Sequence, residues 1–413
     1  MLKFLKILFS NIIIILTCVG HANAQTIVDT TPFPNSMINV NTSYSASGDG
    51  YVAIPYGDRF YYINHHKLSN EQTFGCIDKT VSTNPPYCVD TGITWPQRLP
   101  DGDSGSSRTS STNIVSEGYI LKNDKFYYPV TRFDSGGATP EGWGMGCYDL
   151  ISNAECGYAN LHTNSISQPQ NFRVAISGPL EVNGKAYLLD ANMMLHCVDI
   201  ATMTGCGSLD VSSDLPKFTT FNNVYALSVS GEVVPGSNKF IFTIRYPLGG
   251  GVATIPASIN DRRAICIDTT SGMAKCWGGA AIFPGNPGSG HNFSNFLAFD
   301  TVGNPVSICG MYSGGDLSCL SVANGADSTS THSAFSSAMP NNLAYGLGGE
   351  VRLGTQTYFP AYFQRQIYCF DWSIQGSCDP AYPIFSPFAN PADYALSKDD
   401  ANCIWAFSNN EAV

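Results

Sequence analysis

Few groupings in this chain have the residue types and spacing that chemistry needs. Gly102-Asp103-Ser104-Gly105-Ser106 has the form of a nucleophilic serine between glycines whose backbone N–H groups hold an oxyanion. It lies in PDGDSGSSRTSST, a polar low-complexity stretch with no suitable His-then-Asp order before it, so residues 99–113 are expected to be a linker between repeating units. Asp101 and Asp103 offer carboxylates to Ca2+, without the full Asp-x-Asp-x-Asp-Gly loop. His65 and His66 are adjacent, so a strand would send them to opposite faces, where they cannot easily share one metal. The glycine runs 247–253 and 345–350 lack the strand-loop-helix order of a phosphate cradle and read as turns. Asn41-Thr42-Ser43 and Asn292-Phe293-Ser294 fit glycosylation acceptors, relevant only in a eukaryotic source. No catalytic residue and no metal ligand follows from these strings.

The cysteines are more informative. CIDKTVSTNPPYC (76–88), CYDLISNAEC (147–156), CVDIATMTGC (197–206), CIDTTSGMAKC (266–276) and CFDWSIQGSC (369–378) follow one plan: Cys, an apolar or aromatic residue, Asp, a short polar turn, Cys. The plan predicts a hairpin whose Asp accepts turn N–H groups and whose second cysteine faces the first across the ladder. Disulfides Cys76–Cys88, Cys147–Cys156, Cys197–Cys206, Cys266–Cys276 and Cys369–Cys378 follow. Zinc is disfavoured because the Cys-x2-Cys signature is absent. A further unit lacks the second cysteine, and Cys309 in the preceding strand stands in to pair with Cys319. Cys403 has no partner in sequence and reads as a buried free thiol or as half of an intermolecular bridge.

These hairpins recur, and the recurrence sets the architecture. The anchors Cys76, Cys147, Cys197, Cys266, Cys319 and Cys369 are 71, 50, 69, 53 and 50 residues apart, a base unit near 50 with two insertions. Two β-like runs precede each anchor, as in 172–200, 223–244 and 351–371, so each unit holds four short strands. A four-stranded antiparallel unit at this period predicts an all-β fold, a β-propeller of seven blades. The chain ends half way through a seventh unit (394–413), and residues 25–50 are expected to complete it as a clasp.

CVDIATMTGC, and more so CIDTTSGMAKCW with Asp268, Gly272 and Trp277, resembles the repeat of quinoprotein-type (PQQ-like) β-propellers, in which a strand ending in Asp-x-x-Thr-Gly is followed by Trp. The resemblance covers most of the chain as architecture and implies a propeller fold, with PQQ and Ca2+ as the cofactors such proteins hold. One unit retains the Trp, and the adjacent-cysteine pair that quinoprotein dehydrogenases place beside their cofactor is missing. No cofactor is therefore expected, with Ca2+ or PQQ left as the alternatives.

Composition agrees with this class. Charged residues are 13% of 413, while Gly (40), Pro (24), Tyr (21) and Phe (23) are plentiful, against disorder, coiled coil and helical bundle. Lys3 and Lys6 lead into a short apolar run and the small-residue site Ala22-Asn23-Ala24, a secretory signal over residues 1–24. Cys18 goes with it, because Thr17 is bulkier than the residue that normally precedes a lipid-attachment cysteine. The formal charge of −11 becomes −13 without those lysines, which argues against nucleic acid and anionic membrane surfaces. No later segment is apolar and long enough to span a bilayer, so a single domain over 25–413 is expected to be secreted, periplasmic or at the cell surface.

The function expected is a non-catalytic propeller that binds a surface glycan or another exported protein, with insertions 99–113, 132–146 and 247–263 carrying recognition. Tyr128, Arg132, Trp143 and His162, in or near the second unit's loops, are the candidate aromatic and polar ligand site. A quinoprotein-like oxidoreductase and a structural subunit linked through Cys403 are the alternatives.

Overall fold

The computed structural model describes residues 31–32, 52–66, 71–78, 80, 87–90, 93, 97–98, 119–133, 140–163, 177–190, 192–215, 220–221, 228–245, 253–254, 262–282, 294–311, 317–339, 350–361, 366–378, 384–385, 395–398, 404–407 and 411–412. The signal segment, Cys18, the linker 99–113 with its Ser104 and aspartates, Cys403 and the acceptor asparagines of both glycosylation sites lie outside them.

The protein is an all-β propeller of antiparallel blades. Blade 1 is Val52–Tyr56, Arg59–His66, Glu71–Asp78 and Gln97–Arg98. Blade 2 is Ile120–Lys122, Lys125–Phe133, Pro140–Asp149 and Ala154–Thr163. Blade 3 is Leu180–Val182, Lys185–Leu189, Met194–Asp199 and Thr204–Asp210, and blade 4 is Ser228–Val234, Lys239–Arg245, Arg262–Asp268 and Ala274–Ile282. Blade 5 has three strands among the described residues, Ser294–Phe299, Pro305–Met311 and Leu317–Ser321. Blade 6 is Val351–Leu353, Gln356–Ala361, Gln366–Asp371 and Gly376–Ser377, with Ile384–Phe385 also paired to its third strand.

Six blades of the repeating plan are present, rather than the seven that the spacing predicts. The seventh position is occupied differently. A small sheet stands there, built from Ala395–Lys398, Ile404–Phe407, Glu411–Ala412 and Thr31–Pro32, two of whose strands are dipeptides. Thr31 pairs with Ala412 and Pro32 with Glu411, so both ends of the chain share this sheet. The remainder of the segment expected as a clasp, 25–50, falls outside the described residues.

First strands pack side by side around the centre: Leu180–Val182 against Ser228–Val234, that strand against Ser294–Phe299, and Val351–Leu353 and Val52–Tyr56 against Ala395–Lys398. Each blade therefore buries both sheet faces against its neighbours. Tyr187 packs on Phe240 at 4.9 Å between blades 3 and 4, and Phe296 on Phe359 at 5.1 Å between blades 5 and 6. Tyr61, Phe126, Tyr128 and Tyr148 form one aromatic cluster between blades 1 and 2. Rings of this size dominate interface burial.

Local sequence explains the hairpins. The first turn of blade 2 places Asn123 and Asp124 at φ 52° and 59°, and that of blade 3 places Asn183 and Gly184 at 54° and 78°. Two left-handed residues make the turn whose twist matches the flanking strands, and Asn, Asp and Gly tolerate it best. Among the described residues the six disulfides are Cys76–Cys88, Cys147–Cys156, Cys197–Cys206, Cys266–Cys276, Cys309–Cys319 and Cys369–Cys378.

Their register differs from a simple cross-ladder pair. Cys147 stands opposite Gly157 and Cys197 opposite Gly207, so the bonded cysteine is one residue earlier, with a bulge beside it. Only Cys309 and Cys319 are direct ladder partners, with Cα atoms 4.0 Å apart against 5.0–5.4 Å in the other five pairs.

Candidate functional site

The propeller has two unlike faces. On one, the first turn of blades 2, 3, 4 and 6 meets the Cys-x-Asp turn of the same blade. Leu150 N–H donates to Asp124 O, Ile200 N–H to Gly184 O, Thr269 N–H to Asn238 O and Trp372 N–H to Thr355 O, at 2.8–3.0 Å. This is the turn face.

The repeated aspartates organise it. Asp149 Oδ1 accepts from the N–H groups of Ile151 and Ser152, Asp199 Oδ1 from Ala201 and Thr202, and Asp78, Asp268 and Asp371 each accept from the N–H two residues on. The bond from the Ser152 N–H holds the Asp149 carboxyl below its usual range, and bonds from Thr270 do the same for Asp268. Sequence reasoning identified these acids as turn formers and missed the cation across from four of them, Asp371 facing Gln356 instead. Asp78 is in register with Arg59, Asp149 with Lys125, Asp199 with Lys185 and Asp268 with Lys239. The signal was legible in GDRFYY, NDKFYY, NGKAYL and SNKFIF, where a basic residue opens each second strand just after the turn.

Polar contacts also join neighbouring blades at this face. Tyr56 Oη donates to Asp124, Lys122 Nζ to Glu181 at 2.6 Å, Asn183 Nδ2 to Asn238 Oδ1 at 2.7 Å, and Arg352 Nη2 to Gly303 O at 3.3 Å. The turn face is thus a bonded, short-looped ring.

The opposite face receives every other connection. Second strands end there and third strands begin there, at Phe133 and Pro140 in blade 2 and at Arg245 and Arg262 in blade 4, and the fourth strands ending at Arg98, Thr163 and Asp210 leave from it. Of the three insertions singled out as recognition segments, 132–133 and 140–146 are strand rather than loop, 253–254 and 262–263 of 247–263 are strand, and 99–113 lies outside the described residues. Here Thr220–Phe221, from the connection between blades 3 and 4, pairs with Ala253–Thr254, from inside blade 4, as a two-stranded ribbon. Glu350, half-buried where the chain enters blade 6 from this face, has its carboxyl pushed up to about 7 by burial.

The four candidate ligand residues fall in two groups. Tyr128 and Trp143 are 1% exposed and pack as interior rings, Tyr128 on Phe126 at 5.2 Å and Trp143 edge-on to His196 at 5.0 Å. Neither presents a ring face to solvent. Arg132 stands opposite Gly142 and His162 opposite Trp143 on the sheet. The Trp143 Nε1–H has no hydrogen-bond partner among the described residues.

Two buried polar pairs went unnoticed in the sequence, because their members lie on different elements. His196 Nε2 is 3.1 Å from Asp190 Oδ2, and Asp190 Oδ1 accepts from the N–H groups of Asn192 and Met194. His332 Nε2 is 2.9 Å from Ser307 Oγ, which is 2.8 Å from Ser328 Oγ. A histidine beside a serine has the outline of a base and nucleophile, but Ser307 and His332 are 2% and 4% exposed and out of reach of a substrate. Cys309, Cys319 and His332 lie close enough to share a metal, as do Cys76, Cys88 and Asp90, but in both groups the sulfurs are joined as disulfides and offer no thiolate. No helix of the described residues is long and apolar enough to cross a membrane.

No family profile and no curated protein matches this chain. Among solved structures it is similar to BamB from Moraxella catarrhalis, at 12% identity over 89% of this chain and 88% of that one, with a TM-score of 0.42. It is also similar to the computationally designed Ika8 protein, at 10% identity over 91% and 98% of the two chains, with a TM-score of 0.39.

Proposed function

We propose that this protein is an exported, non-catalytic β-propeller that binds a surface glycan or another exported protein. The observation that carries the reading is the division of labour between the faces. One is closed by short turns, buttressed by the repeated aspartates and linked from blade to blade. The other receives the long connections and the ribbon Thr220–Phe221 with Ala253–Thr254. A rigid scaffold that concentrates its variable-length loops at one side presents them for recognition. The six disulfides suit a protein that works in an oxidising compartment.

The test is a binding screen of the oxidised full chain against glycans, cell-wall fragments and extracytoplasmic proteins, read by thermal shift and by capture. Ligand that binds the native state raises the midpoint by mass action. Replacing 134–139 or 246–252 with a short Gly-Ser linker is expected to abolish the interaction while leaving the melting midpoint of the free protein in place. Binding that survives both replacements, or a hydrolytic or redox activity that one point substitution removes, overturns the reading.

A further inference from the structure

Blade 5 is built differently from its neighbours. In blades 1–4 and 6 the disulfide runs from the third strand to the segment outside it, so the outermost element is held covalently. In blade 5 the bridge lies one hairpin inward, between Cys309 and Cys319 of the second and third strands. A fourth strand is replaced by residues 326–339, which include the 3-10 turn Thr329–His332 and the helix Ser333–Ala338 and contain no cysteine.

This segment covers the outer edge of Leu317–Ser321. Ser321 N–H donates to Ala326 O, Ser328 N–H to Cys319 O, and Cys319 N–H to Thr329 Oγ1, at 2.8–2.9 Å. Phe335 anchors its far end, stacked parallel to Trp372 at 5.6 Å and packed on Phe296 at 4.9 Å. Between these fastenings His332 reaches inward to Ser307 of the second strand.

We propose that residues 326–339 are a strap over blade 5 that acid releases, with His332 as its latch. The reason is what surrounds the imidazole. It faces Ser307, the joined sulfurs of Cys309 and Cys319, and the edge of the Trp372 ring at 6.4 Å. None of these carries a charge. The charged groups on the elements around it are committed elsewhere: Asp327 accepts from the Thr329 N–H, Asp371 from the Ser373 N–H, and Arg352 lies over the Phe299 ring.

An imidazolium there would be buried without a counter-ion. Burial accordingly lowers the His332 pKa. The released strap therefore takes up a proton more readily than the docked one, so docking weakens as pH falls below about 6.5. No disulfide holds the strap against that loss.

Hydrogen exchange on the oxidised full chain at pH 7.5 and pH 5, expressed as protection factors, tests this. The expected result is a several-fold loss of protection at pH 5 in 317–339, with the outer strands of blades 2, 3 and 4 unchanged and the difference absent in His332→Gln. Equal protection at the two pH values, a loss spread over all blades, or a pH difference that persists in H332Q overturns the proposal. Should H332Q not fold, the His332 ring resonance of the wild-type protein decides instead. A midpoint below about 6.5 supports the latch, and one at or above it overturns it.

Discussion

The indole Nε1–H of Trp277, in the outer strand of blade 4, donates to the backbone carbonyl of Val322 in blade 5 at 3.0 Å. The same ring lies where Gly325 would carry a Cβ, only 2.8 Å from that position, and Gly325 has φ of 71°. One side chain thus bonds and packs across a blade interface. An alanine at 325 must displace a ring and also adopt a left-handed backbone.

Gly325→Ala is therefore expected to cost about 1–3 kcal/mol, and Trp277→Phe about 1 kcal/mol for the lost bond. Denaturant midpoints at constant slope measure both. A neutral G325A would show that the loop yields freely and that the ring does not set its path.

Trp143 provides the opposite case. Its Nε1–H is buried without a hydrogen-bond partner among the described residues, so Trp143→Phe removes a donor that contributes no bond there. That substitution is expected to be near neutral or stabilising, while Trp143→Ala opens a cavity costing about 3–5 kcal/mol. A large loss in W143F would mean that the indole nitrogen has a partner, such as an ordered water, beyond the described residues.

These two tryptophans mark how far the sequence carries. The repeated Cys-x-Asp plan exposed the hairpins, because a tight turn needs its N–H groups satisfied locally and leaves a short-range signature. Trp143 and Tyr128 were expected beside a ligand, and they are interior rings. A propeller sheet is covered on both faces, so its strands lack the alternation that separates inside from outside, and an aromatic residue near a loop in sequence can be deep in an interface. The pairs His196–Asp190 and His332–Ser307 were illegible for a related reason. Ser307 and His332 are 25 residues apart, and only the replacement of a fourth strand by a helical strap brings them together.

The turn aspartates predict a pH response separate from that of His332. Asp149 and Asp268 have carboxyls held below their ordinary range in the folded protein. A lowered folded value means that the contribution is complete above the unfolded value, about 4, and is lost as pH falls through the folded one. Stability is expected to decline in two stages, first below about pH 6.5 through His332 and then below about pH 4 through the aspartates. His332→Gln removes the first stage only. Asp199→Ala, which strips the Ala201 and Thr202 N–H groups of their acceptor, is expected to cost about 1 kcal/mol, as loss of a helix cap does. Denaturant midpoints from pH 3 to pH 8 resolve the stages, and a single smooth decline would contradict their assignment.

Disulfide accessibility makes the last test. Cys206 is exposed, whereas Cys309 and Cys319 are both fully buried. Thiol attack requires a reachable sulfur, so graded reduction of the native protein is expected to open Cys197–Cys206 first and Cys309–Cys319 last. Alkylation followed by peptide mass spectrometry gives the order. Each short loop contributes about 2–3 kcal/mol in the chain-entropy account, so early reduction should loosen blade 3 alone and leave blade 5 closed. At pH 5 the strap is released and the outer side of Leu317–Ser321 is uncovered. A phosphine reductant that stays active in acid should then reach Cys319 sooner relative to Cys206 than it does at pH 7.5. The same order at both pH values would mean that the strap does not shield the bridge.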